Sequence, residues 1–490
     1  MKASGNTITI SRGEYEQLLQ FKEEVTLLKH QLAELKRMIF GTKSERFIGM
    51  DTGQMALFDL PGQQTDSQEK EQITYTRNKS DKNKEQPLRL ELAPHLPRKE
   101  ETIEPDSLPE GAKKIGETVT EVLEYEPANI YVRKIIRPKY IVSSNDERTQ
   151  ITIAGLPTLP IPKGNAGAGI LAHILVSKFV DHLPFYRQKQ IFKRHGVVIA
   201  ESTINGWFNA TTTLLEPLYE TLKKQLLSTD YIMADETPLP VLTKDKPGAT
   251  HKGYHWVYYD PVNKLVLFDY QKTRSREGPN KMLGNYQGYL QTDGYVAYTN
   301  LKNQKDITLL ACMAHARRKF EHAKDNDPGR VKEALLLFQK LYDIERTARE
   351  KELGFDRIKE LRQKEAVPVL NEMEAWLKEH IYQVLPKSAI GEAIAYTLKL
   401  WPRLVRYAED GRFKIDNNLI ENSIRPVALG RKNYLLAGSH HAAQQAAIVY
   451  SLLATCKINN VEPFAWLKHV LDVIPDYPAN QLHNLLPGQD

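Results

Sequence analysis

Three carboxylates in this chain stand where they could do chemistry together. Tyr231-Ile232-Met233-Ala234 is an apolar, β-prone run that delivers Asp235 to the end of a buried strand. Pro238 cannot donate a ladder hydrogen bond, so pairing should weaken just past the acid. Gly288-Tyr289-Leu290-Gln291-Thr292 repeats the arrangement before Asp293, and Gly294 lets the backbone turn sharply behind it. Glu421 lies one turn into a helix opened by Asn417-Asn418, with Arg425 one turn further along the same face and Gly430 opening a basic loop. Carboxylates at strand ends and a helix start can converge on a hard divalent cation. Each acid alone has a plainer reading: a turn residue for either aspartate, and for Glu421 the reciprocal partner of an Asn418 N-cap. Glu236 should face the opposite side of its strand and is left out of the set.

The elements around these acids describe a mixed sheet flanked by helices. After Leu227 come β runs at Ile232-Ala234, Tyr254-Tyr259 and Leu265-Phe268, a helix near Pro279 to Asn285, the run into Asp293, and Ile307 to Cys312. The first acid lies on the first strand and the second follows the fourth, a placement that suits a ribonuclease-H-like sheet. A basic helix, Ala314-His315-Ala316-Arg317-Arg318-Lys319-Phe320, comes next, and His315 reads either as a group near a ligand or as a packed histidine. From 325 to 411 the chain is nearly all helical, with Leu335, Phe338, Leu341 and Ile344 at three-and-four spacing. That block reads as an insertion between a first part of the sheet domain, 228–324, and a second, 412–450, before a helical tail, 451–490.

Upstream, Leu18, Phe21, Val25, Leu28, Leu32, Leu35 and Ile39 form a heptad seam, so 13–46 reads as a coiled coil that pairs with a second copy of the chain, an amphipathic helix packed on its own domain being the plainer alternative. Residues 61–87 are almost devoid of apolar side chains and read as a flexible linker. A small β module follows over 95–160. Residues 161–227 are helical: a first helix from Ile170 to Asp181, a second from Phe185 to His195, and a third capped by Ser202 after a glycine-containing turn. That is a helix-turn-helix pattern, with Arg187, Lys189, Lys193 and Arg194 on the earlier helix placed to meet phosphates. A plain three-helix bundle with a solvated basic face fits the pattern equally well.

The chain has 490 residues, 41% hydrophobic and 26% charged, which is ordinary for a multidomain globular protein, and its net charge of +6 carries little information by itself. Two distant cysteines, Cys312 and Cys456, exclude a disulfide framework and read as buried thiols in a reducing compartment. No run is long enough for a signal peptide core or a membrane span, so a cytoplasmic location without membrane contact is expected.

Several segments together resemble the transposases of insertion sequence family 66, bacterial enzymes of the DDE class. They are the zipper ending in Arg37-Met38-Ile39-Phe40-Gly41-Thr42-Lys43-Ser44-Glu45-Arg46, the helical Lys178-Phe179-Val180-Asp181-His182-Leu183-Pro184-Phe185-Tyr186-Arg187-Gln188, Asp235-Glu236-Thr237-Pro238 and Asp293-Gly294-Tyr295. Ala314-His315-Ala316-Arg317-Arg318-Lys319-Phe320, Gly430-Arg431-Lys432-Asn433 and Tyr450-Ser451-Leu452-Leu453 complete the set, in order along nearly the whole chain. The resemblance implies that Asp235, Asp293 and Glu421 hold two Mg²⁺ or Mn²⁺ ions for cleavage and joining of DNA, about 3.5–4 Å apart in typical two-metal sites. It implies double-stranded DNA as the partner (transposon ends and target), a nucleoid-associated location, a homo-oligomer and small accessory proteins of the same element. Arg317, Arg318, Arg425, Arg431 and Lys432 are then expected at phosphates. The family commonly carries a cysteine-based zinc module where this chain has its β module, and the absence of cysteine there removes the thiolates that zinc would need. Two other readings remain: a catalytically silent DNA-binding regulator or domesticated remnant, and a metal-dependent nuclease without strand transfer.

Overall fold

The computed structural model describes Leu92 and residues 94–105, 113–126, 129–143, 149–243, 249–299, 301 and 304–488. All belong to the compact unit Lys84–Asp490. The coiled coil expected over 13–46 and the linker expected over 61–87 lie outside the described residues.

Two mixed sheets are present among the described residues. The first is built from β1 (Arg98–Thr102), β2 (Lys113–Glu126), β3 (Asn129–Ser143) and β4 (Thr149–Ile153), in the order β1-β3-β2 with β4 also paired to β3. Leu123 and Val132 of this module are buried in the main core beneath α1 (Ala168–Phe179). Then come α2 (Phe185–Arg194) and α3 (Glu201–Leu227). Ser202 does not cap α3: the helix starts one residue earlier, with Ala200 at its N-cap and no side-chain cap bond. Ile204, Trp207, Leu215, Leu218, Leu222 and Leu226 recur at helical spacing and are fully buried. Most of α3 is therefore a core helix, and Tyr219 on it donates to the Phe268 carbonyl at 2.9 Å.

The second sheet contains β5 (Tyr231–Leu242), β6 (Thr250–Asp260), β7 (Leu265–Gln271), β8 (Gly288–Thr292) and β9 (Ile307–Ala311), ordered β7-β6-β5-β8-β9. The β7-β6-β5 pairs are antiparallel, whereas β8 and β9 run parallel to β5. Short helices α4 (Glu277–Met282) and α5 (Val296–Thr299) flank β8. Pro238 does not end β5, which continues through Pro238 and Pro240 opposite β6 to Leu242. The reason is which side the prolines turn. β8 pairs only with Tyr231–Met233, and the carbonyls of Pro238 and Pro240 face that vacated side, where Arg431 and the Ala437 amide bond them. A residue's N–H and C=O leave a strand on the same side, so the missing donors face no strand.

Beyond β9 come α6 (Met313–His322), α7 (Pro328–Glu350), α8 (Phe355–Leu361), a π-helical turn (Arg362–Ala366), α9 (Val367–His380) and α10 (Ala389–Leu404). The chain then returns to the sheet with α11 (Asn418–Tyr434), α12 (His440–Ile458) and α13 (Pro463–Val473). α12 covers the exposed edge of β7: Ser451 Oγ accepts from the Phe268 amide at 2.8 Å and Thr455 Oγ1 from the Val266 amide at 3.2 Å. One continuous hydrophobic cluster runs from the β module through α3 and the sheet into α7, α10 and the tail. No helix among the described residues is long and apolar enough to cross a membrane.

Candidate active site

The last β5–β8 pair is Met233 with Gln291. Asp235 on β5 and Asp293, one residue past the end of β8, each lie two residues beyond it, so the parallel register brings them alongside one another on the same side. Strand spacing there is about 4.8 Å. Gly294, at φ +92°, turns the chain immediately behind Asp293, where the Leu400 side chain closes against it, and Tyr396 of α10 donates to the Asp293 carbonyl at 2.9 Å. The Asp293 carboxylate accepts from the Tyr295 amide at 2.7 Å.

Glu421 comes from beyond the helical block by a longer route. The buried Arg362 guanidinium donates to both oxygens of Glu345 at 2.7 Å and to the carbonyls of Tyr407, Asp410 and Phe413 at 2.8, 2.8 and 3.0 Å. Those bonds fix the turn-rich return from the helical block. The next residues are stitched to the sheet: Tyr231 donates to Gln291, Gln291 donates to the Lys414 carbonyl at 2.9 Å, and the Lys414 amide donates to Tyr231 Oη at 3.0 Å. The Met313 amide then donates to the Ile415 carbonyl at 3.0 Å, and the Asn417 amide to Cys312 Sγ at 3.2 Å. Tyr231 and Gln291 share their strand face with Asp235 and Asp293, so this network anchors the segment leading into α11 on that side of the sheet. Asn417, rather than Asn418, is the N-cap and makes no side-chain cap bond, so Glu421 is not the partner in a capping box.

The charges of the other acids act on Asp235. The Asp235 carboxyl is pushed well above the usual range, first by burial, then by Glu236 and Asp293, with Glu421 adding to it. Arg318 Nη2 stands 3.9 Å from Glu421 Oε1. Among the described residues no group of three or more His, Cys, Asp and Glu side chains is drawn together closely enough to hold a metal ion as arranged. The donor chemistry nonetheless fits a hard dication: carboxylates only, one of them buried and raised by its like-charged neighbours. Glu236 is held away from this face by Arg274 Nε at 2.7 Å and Tyr298 Oη at 3.1 Å.

Residues 163–445 match the family profile described as "Transposase IS66 family". The chain belongs to the IS66 transposase family. Residues 451–487 match "IS66 C-terminal element" and 27–100 match "Transposase C of IS166 homeodomain". Two proteins of Sinorhizobium fredii are similar over nearly the whole chain. "Uncharacterized protein y4jD" is 32% identical, covering 96% of this chain and 97% of its own, and "Uncharacterized protein y4qI" is 33% identical, covering 95% and 89%. "Uncharacterized protein YuaK" of Escherichia coli is 44% identical over 50 residues, 10% of this chain.

The basic residues of this IS66 chain divide into two groups. Arg187, Lys193 and Arg194 are exposed on α2 and Lys189 is half-buried, while Arg187 Nη1 donates to Asn433 Oδ1 at 3.1 Å and so ties α2 to the end of α11. Arg318, Arg425 and Lys432 are exposed. Arg317 is engaged by Glu321 at 2.9 Å. Arg431 departs from expectation: α11 continues through Gly430 instead of opening a loop, and this turns the guanidinium inward onto the Pro238 carbonyl. Gly430 is needed inside the helix because a methyl there would meet the Tyr434 hydroxyl. His315 belongs to the acid site. Its imidazole is held below the usual range by burial and Arg318, against the opposite pull of Asp293, Glu421 and Asp416, and its Nδ1 is buried without a partner.

Proposed function

We propose that this IS66 family member is a DDE transposase that binds the ends of its insertion sequence and cuts and joins DNA at Asp235, Asp293 and Glu421. The observation that carries the proposal is the β5–β8 register, which brings Asp235 and Asp293 alongside one another while Glu421 reaches Asp235 electrostatically. The order β7-β6-β5-β8-β9, three antiparallel strands followed by two parallel ones, supports a ribonuclease-H-like catalytic domain interrupted by the helical block 325–411. The three acids would hold two Mg²⁺ or Mn²⁺ ions, which supply Lewis acidity at a phosphodiester and lower the pKa of a bound water or 3′-hydroxyl. Asp235, at the buried centre, is the anchor that both other acids address. Arg318, exposed beside Glu421, provides positive charge for a non-bridging phosphate oxygen, and Arg425 lies one helical turn beyond.

The three helices α1–α3 support a helix-turn-helix reading in which α2 meets phosphates through Arg187, Lys189, Lys193 and Arg194. Glu201 and Ser202 are exposed at the leading end of α3, so base contacts would come from there. Double-stranded DNA is the partner, with a second copy of the chain joined through 13–46 and accessory proteins of the same element in the assembly.

The test is cleavage and joining of a labelled duplex carrying the element's terminal repeat, with Mg²⁺, by wild type and by Asp293→Asn. The expected result is that both bind and only wild type cuts and joins. Binding without cutting by either protein, with accessory proteins supplied, would instead establish a silent regulator; cutting without joining would establish a nuclease.

A further inference from the structure

A cavity of about 290 Å³ opens between α1, the start of α3, β5–β6 and the α11–α12 connection. It lies away from the three acids: Leu239 on its wall is four residues along β5 from Asp235, about 13 Å at strand rise. None of the cutting chemistry described above uses it. Its lining is nonetheless costly to maintain. Lys178 stands at one side with its ammonium 3.7 Å from the centre of the Phe185 ring and 5.5 Å from those of Phe208 and Tyr434. At the floor, His255 is fully buried with neither ring nitrogen bonded, and Gln445 is 4% exposed with its Oε1 unbonded. A buried polar atom left without a partner costs about 1–3 kcal/mol, so two such side chains facing one cavity mark a place built for a polar guest. Burial holds His255 neutral, at about 3, so its ring offers one donor and one acceptor side by side.

The guest's chemistry follows from the walls. Flat aromatic faces ask for a planar group, the floor asks for mixed donors and acceptors on its edge, and a buried lysine packed on those rings, its charge offset from a distance by Glu201, asks for an anion. A lipid or an apolar side chain would leave the floor unbonded, and a bare phosphate would leave the rings unused. We infer that this cavity receives one unpaired nucleotide of the DNA strand, its base between the aromatic walls and its phosphate at Lys178. This rests on the DNA-acting reading proposed above. Placing it beside the sheet lets the protein hold a displaced nucleotide while the acids work on the backbone a short distance away. Extruding a base costs a few kcal/mol and is cheapest where the strand is already unpaired, so single-stranded DNA is the strongest ligand.

The probe is a short single-stranded oligodeoxynucleotide carrying one 5-iododeoxyuridine, photocrosslinked to the full-length protein and mapped by mass spectrometry. Crosslinks are expected on Phe185, Phe208 or Tyr434. They should fall at least tenfold in Lys178→Met and in Gln445→Leu, with the melting temperatures of both variants showing that they fold. Unlabelled single strand should compete, and free thymidine monophosphate should not compete at matched concentration. Crosslinks that map elsewhere, or that persist in both folded variants, overturn the inference. Equal competition by the free nucleotide would also overturn it, making the cavity a free-nucleotide site. Failure of the proposed activity is separable: pocket crosslinks with no cutting of the terminal duplex sink the transposase reading alone, and cutting with crosslinks elsewhere sinks the pocket alone.

Discussion

Arg362→Met should show that the helical block sets the third acid. The guanidinium is 2% exposed and makes five hydrogen bonds: two to Glu345 and three to the carbonyls of Tyr407, Asp410 and Phe413. Removing one partner of a buried ion pair costs about 3–5 kcal/mol, because the surviving charge is left without compensation. With an unfolding entropy near 2.1 cal/mol/K per residue, the unit of roughly 400 residues should melt about 5 °C lower. Adding Glu345→Leu removes the stranded carboxylate, and the double variant should regain about 2 kcal/mol over Arg362→Met alone. Thermal unfolding of wild type, both single variants and the double variant measures the cycle. Metal-dependent cleavage of the terminal duplex, assayed well below the melting transition, should stay impaired in the double variant, since neither side chain holds the carbonyls that lead to Glu421. A double variant no more stable than Arg362→Met, or one that cuts normally, would refute the argument.

Asp235→Asn should raise the melting temperature at pH 7 in the presence of a chelator, because burial and Asp293 oppose the charged form, and it should abolish stabilisation by added Mg²⁺; a less stable variant counts against the site. Lys178 is lowered to about 8 in the fold, so the folded state binds fewer protons than the unfolded chain between that value and about 10.4. Wild type should therefore gain about 2 kcal/mol from pH 8 to 10 relative to Lys178→Met, read as the difference in melting temperature across that window. Gly411→Ala should cost about 1–3 kcal/mol, because the added methyl would run into the Phe355 carbonyl and nothing but backbone can yield there; a neutral result in urea unfolding would show that the segment before Glu421 is loosely held.

The sequence made the acids readable because each sits where local rules put it: after an apolar run, before a glycine, or at a helix start. Apolar runs also located all five strands of the second sheet. What local rules missed came from partners far along the chain. Pro238 reads as a strand terminator until Arg431 and Ala437 occupy the side to which the prolines turn. Arg431 reads as a phosphate ligand until α11 runs straight through Gly430 and aims it inward. Ser202 reads as a cap, yet the preceding Ala200 holds that place by backbone geometry alone. Arg362, Tyr231 and Gln291 carry no local signature, since their roles depend on residues 17 to 183 positions away.

α11 also fixes a distance. Glu421 sits in its first turn and Asn433, near its last, is bonded to Arg187 of α2, so the acid and the basic helix stand near opposite ends of one helix, with Pro426 between them. Twelve residues of helix span about 18 Å at 1.5 Å each. In the proposed complex, duplex DNA rises about 3.4 Å per base pair, so a backbone gripped at Arg187 reaches the acids about five base pairs later. Since α2, α3 and the sheet share one continuous core, little hinge motion is available to change that spacing. The position of the cut relative to the bound phosphates is then a property of α11, and it should stay constant across terminal sequences while affinity varies.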